Sequence, residues 1–208
     1  MRPALLLLSS LMFAADEPRV AFVKSFPGSV PAYVGIQVTR DGSAVYQEAP
    51  NDDAPVPFQV GKAEVDQIFA LAAKLDFFKK VLESNLKVAN MGMKTFRWEN
   101  GSEKHEVKFN YSLDEDAKAL ADWFEKLTET QQHLFNLERT VKFDRLGVNK
   151  MILNLEAALD RGRIVGPERL LPLLERVSKN DSYMHIARER AAALADSIRS
   201  PKPKAATE

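Results

Sequence analysis

The chain predicts an α+β fold: a small antiparallel sheet from two hairpins packed on helices, followed by an all-α C-terminal segment. Three observations predict it. Runs of alternating apolar residues fall in the first half of the chain. Glycine turns at Asp41-Gly42 and Asn100-Gly101 divide those runs into hairpins. After Ser112 the apolar spacing becomes three and four residues and stays so to Ile198. Strands first and helices afterwards read as α+β with a helical appendage.

The elements follow in order. Arg19–Phe26 is rich in Val and Phe and reads as a first strand. Pro27, Gly28 and Pro31 then interrupt any ladder, since proline donates no amide hydrogen and glycine permits a sharp bend. Val34–Val38 and Ser43–Tyr46 alternate around Asp41-Gly42. A two-residue loop there would set Val38 opposite Val45, with Val34 and Ile36 on the same face. Residues 47–57 read as a polar loop. Val65, Ile68, Phe69, Ala72 and Leu75 line one face of a helix. Met93–Trp98 and Val107–Tyr111 form the second hairpin. Ser112 with Glu115 fits a capping box, and Leu113, Ala117, Leu120, Ala121, Phe124 and Leu127 form the stripe that follows. Helical spacing continues past Val141 and Leu146 to a break at Gly147. Met151, Ile152, Leu155 and Leu159 mark another helix. Leu170–Val177 is dense in leucine, and Pro172 inside it should kink or restart that helix. Asn180-Asp181-Ser182 reads as a turn and cap, and Ile186, Ala187, Ala191, Leu194 and Ile198 line the last helix.

The N-terminus carries an address. Met1-Arg2 precedes the apolar run Ala4–Ala15, and Asp16-Glu17-Pro18 stops it. This is the layout of a secretory signal peptide over residues 1–15, too short for a comfortable bilayer span. The expected organisation is therefore a signal peptide at 1–15, an α+β domain at 19–127, a helical segment at 128–199 and a disordered tail at 200–208. No other run is apolar enough to span a membrane, so the mature chain is expected to be soluble. The chain has no cysteine, which excludes disulfides, thiol nucleophiles and thiolate zinc sites. Basic and acidic residues both number 29, so overall charge gives no reason to expect a nucleic-acid partner.

The stretch Phe26-Pro27-Gly28-Ser29-Val30-Pro31-Ala32-Tyr33, followed by Asp41-Gly42 and Tyr46, resembles an uncharacterised exported bacterial domain family of unknown function. Its motif runs cysteine, any residue, glycine, any residue, cysteine, proline, any residue, tyrosine, then a strand and an Asp-Gly turn. Gly28, Pro31, Tyr33, Asp41, Gly42 and Tyr46 match it; Phe26 and Val30 stand at the cysteine positions. The resemblance covers about residues 19–127. It implies a fold type and an exported setting, with apolar packing in place of any disulfide or redox pair. Residues 170–198 resemble one HEAT-type helical pair, through the proline in the first helix, the Asp181 turn and the alanine-rich second helix.

Chemistry finds little purchase. No HExxH, GxSxG, GxGxxG or phosphate loop is present. His133 follows Glu129, and Glu189 follows His185, by four residues, a spacing common in surface pairs. Asp52 and Asp53 lie in a polar loop without the alternating oxygen ligands of an EF-hand. Asp114, Glu115 and Asp116 suit the first turn of a helix, where the dipole favours acids. No cofactor and no metal are expected.

Surfaces remain. Phe26, Pro27, Pro31, Tyr33, Tyr46, Phe77, Phe78 and Trp98 form the candidate binding surface, with Lys79, Lys80, Lys87, Lys94 and Arg97 as nearby cations. The expected function is an exported soluble binding or scaffolding protein whose partner is a protein or a cell-envelope component. The alternative is an enzyme or enzyme inhibitor with a site near His105, Asp52 and Asp53, joined by Tyr33.

Overall fold

The computed structural model describes residues 17–200. The expected signal peptide at 1–15, and all but the first residue of the expected tail at 200–208, lie outside them. The fold is α+β, and no described helix is long and apolar enough to cross a membrane. The chain divides into two compact units, one reaching Ala117 and the other starting at Lys118.

Among its described residues the first unit holds six strands, one α-helix and a short 3-10 helix (Asp76–Phe78). The elements are β1 (Arg19–Ser25), β2 (Tyr33–Thr39), β3 (Ser43–Gln47), β4 (Val56–Gln59), α1 (Lys62–Lys74), β5 (Met93–Asn100) and β6 (Glu103–Phe109). They make one sheet in the order β4-β3-β2-β1-β5-β6, antiparallel throughout. The first strand is thus central, paired on one side with β2 and on the other with β5. Register places Val20, Phe22, Ile36, Val38, Phe96 and Trp98 on one face, and all six are buried. From α1, Phe69 meets Trp98 edge-on at 5.9 Å between ring centroids, an arrangement aromatic pairs favour.

Two sequence expectations change here. The β2–β3 turn takes three residues, not two. The amide of Gly42 donates to the Thr39 carbonyl (3.0 Å), and Gly42 takes φ +91°, which a side chain would resist. Val38 therefore meets Ala44, and Val45 meets Gln37. A slip of one residue turns every side chain over, so Val45 joins the open face while Ala44 and Tyr46 are buried. The second change is β4, inside what reads as a loop. It is four residues long and contains Pro57, which an edge strand tolerates because its outward amide needs no partner.

After α1 the backbone does something rare. Asp76, Phe77 and Phe78 have φ of +52°, +49° and +68°, a left-handed turn of three residues that carry side chains. Such geometry costs roughly 1–2 kcal/mol per residue. Burial offsets it: Phe78 is fully packed with its ring 5.2 Å from Phe96, and Phe77 lies 4.5 Å from Trp98.

The long helix α2 (Glu115–Phe143) spans the division between the units. Its cap is Asp114, whose Oδ1 accepts the amides of Asp116 (2.9 Å) and Ala117 (3.1 Å). The capping box expected at Ser112 is thus two residues early, and Leu113 lies outside the helix, exposed. In the second unit follow α3 (Val148–Asp160), a 3-10 turn (Pro167–Leu170), α4 (Leu171–Ser178) and α5 (His185–Arg199). Pro172 restarts the helix after the 3-10 turn. The core joins Leu137 and Val141 of α2 to Ile152, Leu155, Leu174 and Leu194. Ile186 is exposed and does not line it. Tyr183 Oη donates to the Val141 carbonyl (2.9 Å), tying the start of α5 to the last turn of α2. Arg163 is clamped by Glu129 (2.8–3.1 Å) and Asp122, and both carboxylates hold its guanidinium charged.

Candidate functional site

One end of the sheet gathers two loops. Ser25 ends β1 opposite Tyr33, the first residue of β2, and opposite Met93, the first residue of β5. The β1–β2 loop and the segment leading into β5 therefore emerge side by side.

The β1–β2 loop is braced from within. The Phe26 amide donates to the Ala32 carbonyl (2.9 Å), closing its neck. The Ser29 amide donates to the Phe26 carbonyl (3.0 Å), and Ser29 Oγ lies 2.7 Å from the carbonyls of both Phe26 and Pro31. Gly28 has φ +91°, and the Val30–Pro31 peptide is cis. At the tip Val30 is 100% exposed. The resemblance implied apolar packing at the positions of Phe26 and Val30; Val30 instead points to solvent and packs on nothing.

The second loop, residues 79–92, has no regular structure. It passes tightly against the first: a Cβ on Gly92 would sit 3.0 Å from Phe26 Cβ. Polar anchors hold it. Glu83 accepts the Asn110 amide (2.6 Å), and this bond keeps its carboxyl below the usual range. Asn110 donates from Nδ2 to the Ala89 carbonyl (3.0 Å) and accepts the Met91 amide (2.8 Å). Ser84 donates its amide to the Tyr111 carbonyl (2.9 Å). Buried Lys94 donates to the carbonyls of Gly92 (3.3 Å) and Asn110 (3.1 Å). A buried ammonium needs such partners, so Lys94 is a fastener of this end and not the surface cation its sequence neighbours suggest. With the backbone so fixed, Val81, Leu86, Val88, Met91 and Met93 are left exposed. Long loops without secondary structure are uncommon in compact domains and usually functional, and clustered exposed apolar side chains mark interaction surfaces.

Beside this end, the open sheet face carries a concavity of about 380 Å³. Ala21 and Gly35 form its floor, and Tyr33, Gln37, Gln47 and Arg97 line it. Gln47 Nε2 reaches Tyr33 Oη at 3.3 Å.

The expected binding surface therefore separates into two groups. Phe26, Pro27, Pro31 and Tyr33 belong to the loop-bearing end. Tyr46, Phe78 and Trp98 are buried and form no surface, because register and the left-handed turn direct them into the core. Phe77 is half-buried against Trp98. Sequence reasoning missed the five exposed side chains of 81–93. The available signal was a long run without strand or helix period that still carries Val, Leu and Met.

The alternative catalytic grouping does not assemble. His105 lies on β6 and Asp52 and Asp53 in the β3–β4 loop, at opposite edges of a six-stranded sheet. Five strand spacings of about 4.8 Å separate those edges by roughly 24 Å. Asp52 instead organises its own loop, accepting the amides of Glu48 and Ala54 (both 3.0 Å), which lowers its pKa. Glu129 is occupied by Arg163, and burial pushes His133 down. His185 lies 3.6 Å from Glu189 on the surface. Among the described residues no group of three or more His, Asp or Glu side chains could hold a metal. No protein-family model matches this chain, and neither does any curated protein.

Proposed function

We infer that this chain works by binding a protein or cell-envelope component, in an exported setting, through the loop-bearing end of its sheet. The observation that carries the reading is the pairing of a fixed backbone with exposed apolar side chains. Val30, Met91 and Met93 stand on segments tied down by hydrogen bonds to Ala32, Asn110 and β1. A preorganised apolar surface loses little conformational entropy on binding, and methionine adapts its shape to a partner. Tyr33 and the adjoining concavity extend that surface with hydrogen-bonding groups.

The test is photo-crosslinking in cells, with the reactive residue placed at Val30, at Met91 or at Ser102 on the opposite β5–β6 turn. The same product should form from positions 30 and 91 and not from 102. It should fade when Tyr33→Ala or Met93→Asp is added to a folded chain. Equal capture from all three positions, or capture indifferent to both substitutions, would sink the reading.

A further inference from the structure

The second unit carries a different exposed feature, at the corner between α2 and α3. Phe143, the last residue of α2, is 82% exposed, and Leu146 in the turn is 77% exposed. Both stand beyond a core that ends at Val141 and resumes at Val148, so neither contributes to packing. A cation precedes each: Lys142 before Phe143, Arg145 before Leu146. Arg139 and Lys150 flank the corner.

Among the described residues, most cations elsewhere in the unit are paired: Lys126, Arg163, Lys179, Arg188, Arg190 and Arg199 meet carboxylates, while Arg161 and Arg176 do not. Arg139, Lys142, Arg145 and Lys150 make no ion pair among the described residues. The one acid inside the turn, Asp144, is engaged locally: its Oδ1 accepts the Gly147 amide (3.0 Å) at the start of α3. Met184 and Ile186, also exposed, flank the start of α5, which Tyr183 ties to the Val141 carbonyl (2.9 Å) and so to this same end of the unit.

We propose that the α2–α3 corner docks on an anionic lipid bilayer, with Phe143 and Leu146 entering the headgroup–acyl boundary and Arg139, Lys142, Arg145 and Lys150 meeting lipid phosphates. Exposed aromatic and aliphatic side chains gain from the apolar boundary, and cations beside them gain from the negative surface potential. An apolar protein groove would accept the two apolar residues but leave the four cations around them unmatched. A bilayer supplies both chemistries across one broad surface.

The cysteine-free chain permits a local readout. The variant Leu146→Cys carries an environment-sensitive fluorophore and meets phosphatidylcholine vesicles with or without about one-third phosphatidylglycerol. The control is Ser102→Cys, also exposed but on the β5–β6 turn, between Glu99 and Glu103. A blue shift is expected at 146 with anionic vesicles only, with none at 102. It should weaken at least tenfold in apparent affinity when Lys142→Glu and Arg145→Glu are added, and in about 1 M salt, where the Debye length is about 3 Å. Circular dichroism confirms the fold of each variant, whose altered side chains are all exposed. No shift at 146, a shift equal on neutral vesicles, or one that survives charge reversal would overturn the proposal.

Discussion

The two ends of the sheet use similar residues for opposite purposes. At the β5–β6 turn end, Phe69, Phe77 and Phe78 close over Trp98 and Phe96, and their rings are spent on packing. At the loop-bearing end, Val30, Met91 and Met93 are left in water, and polar groups do the holding. Stability is thus concentrated at one end and an available surface at the other. The difference teaches that apolar character in a sequence marks neither core nor binding site. What decides is whether the local backbone is fixed by burial of that side chain or by hydrogen bonds that leave it free.

The largest effect that would sharpen this contrast comes from Phe78→Ala set against Val30→Ser. Truncating a buried phenylalanine costs about 3–5 kcal/mol through lost transfer energy and the cavity left behind. Phe78 also anchors the left-handed turn, so its loss removes what offsets the strain at Asp76 and Phe77. The Val30 change should move stability by no more than about 0.5 kcal/mol, as at most surface positions. Urea unfolding of both variants measures this. Comparable losses would break the comparison.

Much of that contrast was unreadable in advance, for local reasons. Strand order within hairpins and the helical second half were legible, because periods of two and of 3.6 are written directly in side chains. The buried stripe Ala117, Leu120, Phe124 and Leu127 was legible for the same reason. The turn at Gly42 was visible as a turn but not in length. Asp-Gly fits both two- and three-residue loops, and Asp41 accepts the Thr39 hydroxyl (2.5 Å) and the Ser43 amide (2.8 Å) to settle the longer one. That single residue moved Val45 to the open face. The site was half legible. Gly28, Pro31 and Tyr33 announce a shaped loop, but the 79–92 segment is held by Asn110, eighteen or more residues away. No local pattern encodes such a long-range anchor.

A second, smaller effect tests the anchors. Asn110→Ala removes the bonds to Ala89 and Met91 and leaves the apolar core intact. It should cost about 1 kcal/mol, the usual net worth of such hydrogen bonds. Amide exchange at Met91 should quicken far more than exchange at Phe96, which lies in the central sheet. Crosslinking from Met91 should fall while the fold persists. Equal protection of Met91 in variant and parent would show that the loop does not depend on Asn110.

The smallest effect concerns acid. Glu83 is ionised while it accepts the Asn110 amide, and that bond lowers its pKa from the ordinary value of 4.5. A carboxyl whose folded pKa lies below its unfolded one adds stability that is complete above the unfolded value. The gain disappears as pH falls through the folded value. Stability of the parent should therefore exceed that of Glu83→Gln by a constant margin down to about pH 4.5, and the margin should then close on further acidification. Other carboxylates here, including Asp41, Glu103 and Glu106, are lowered by their own partners, so the whole protein loses stability in acid. Only the difference between parent and variant isolates Glu83. A margin that stays flat to pH values well below 4.5 would mean the loop is held without this carboxylate, and the loop-bearing end would then rest on its other anchors, Asn110, Ser84 and Lys94.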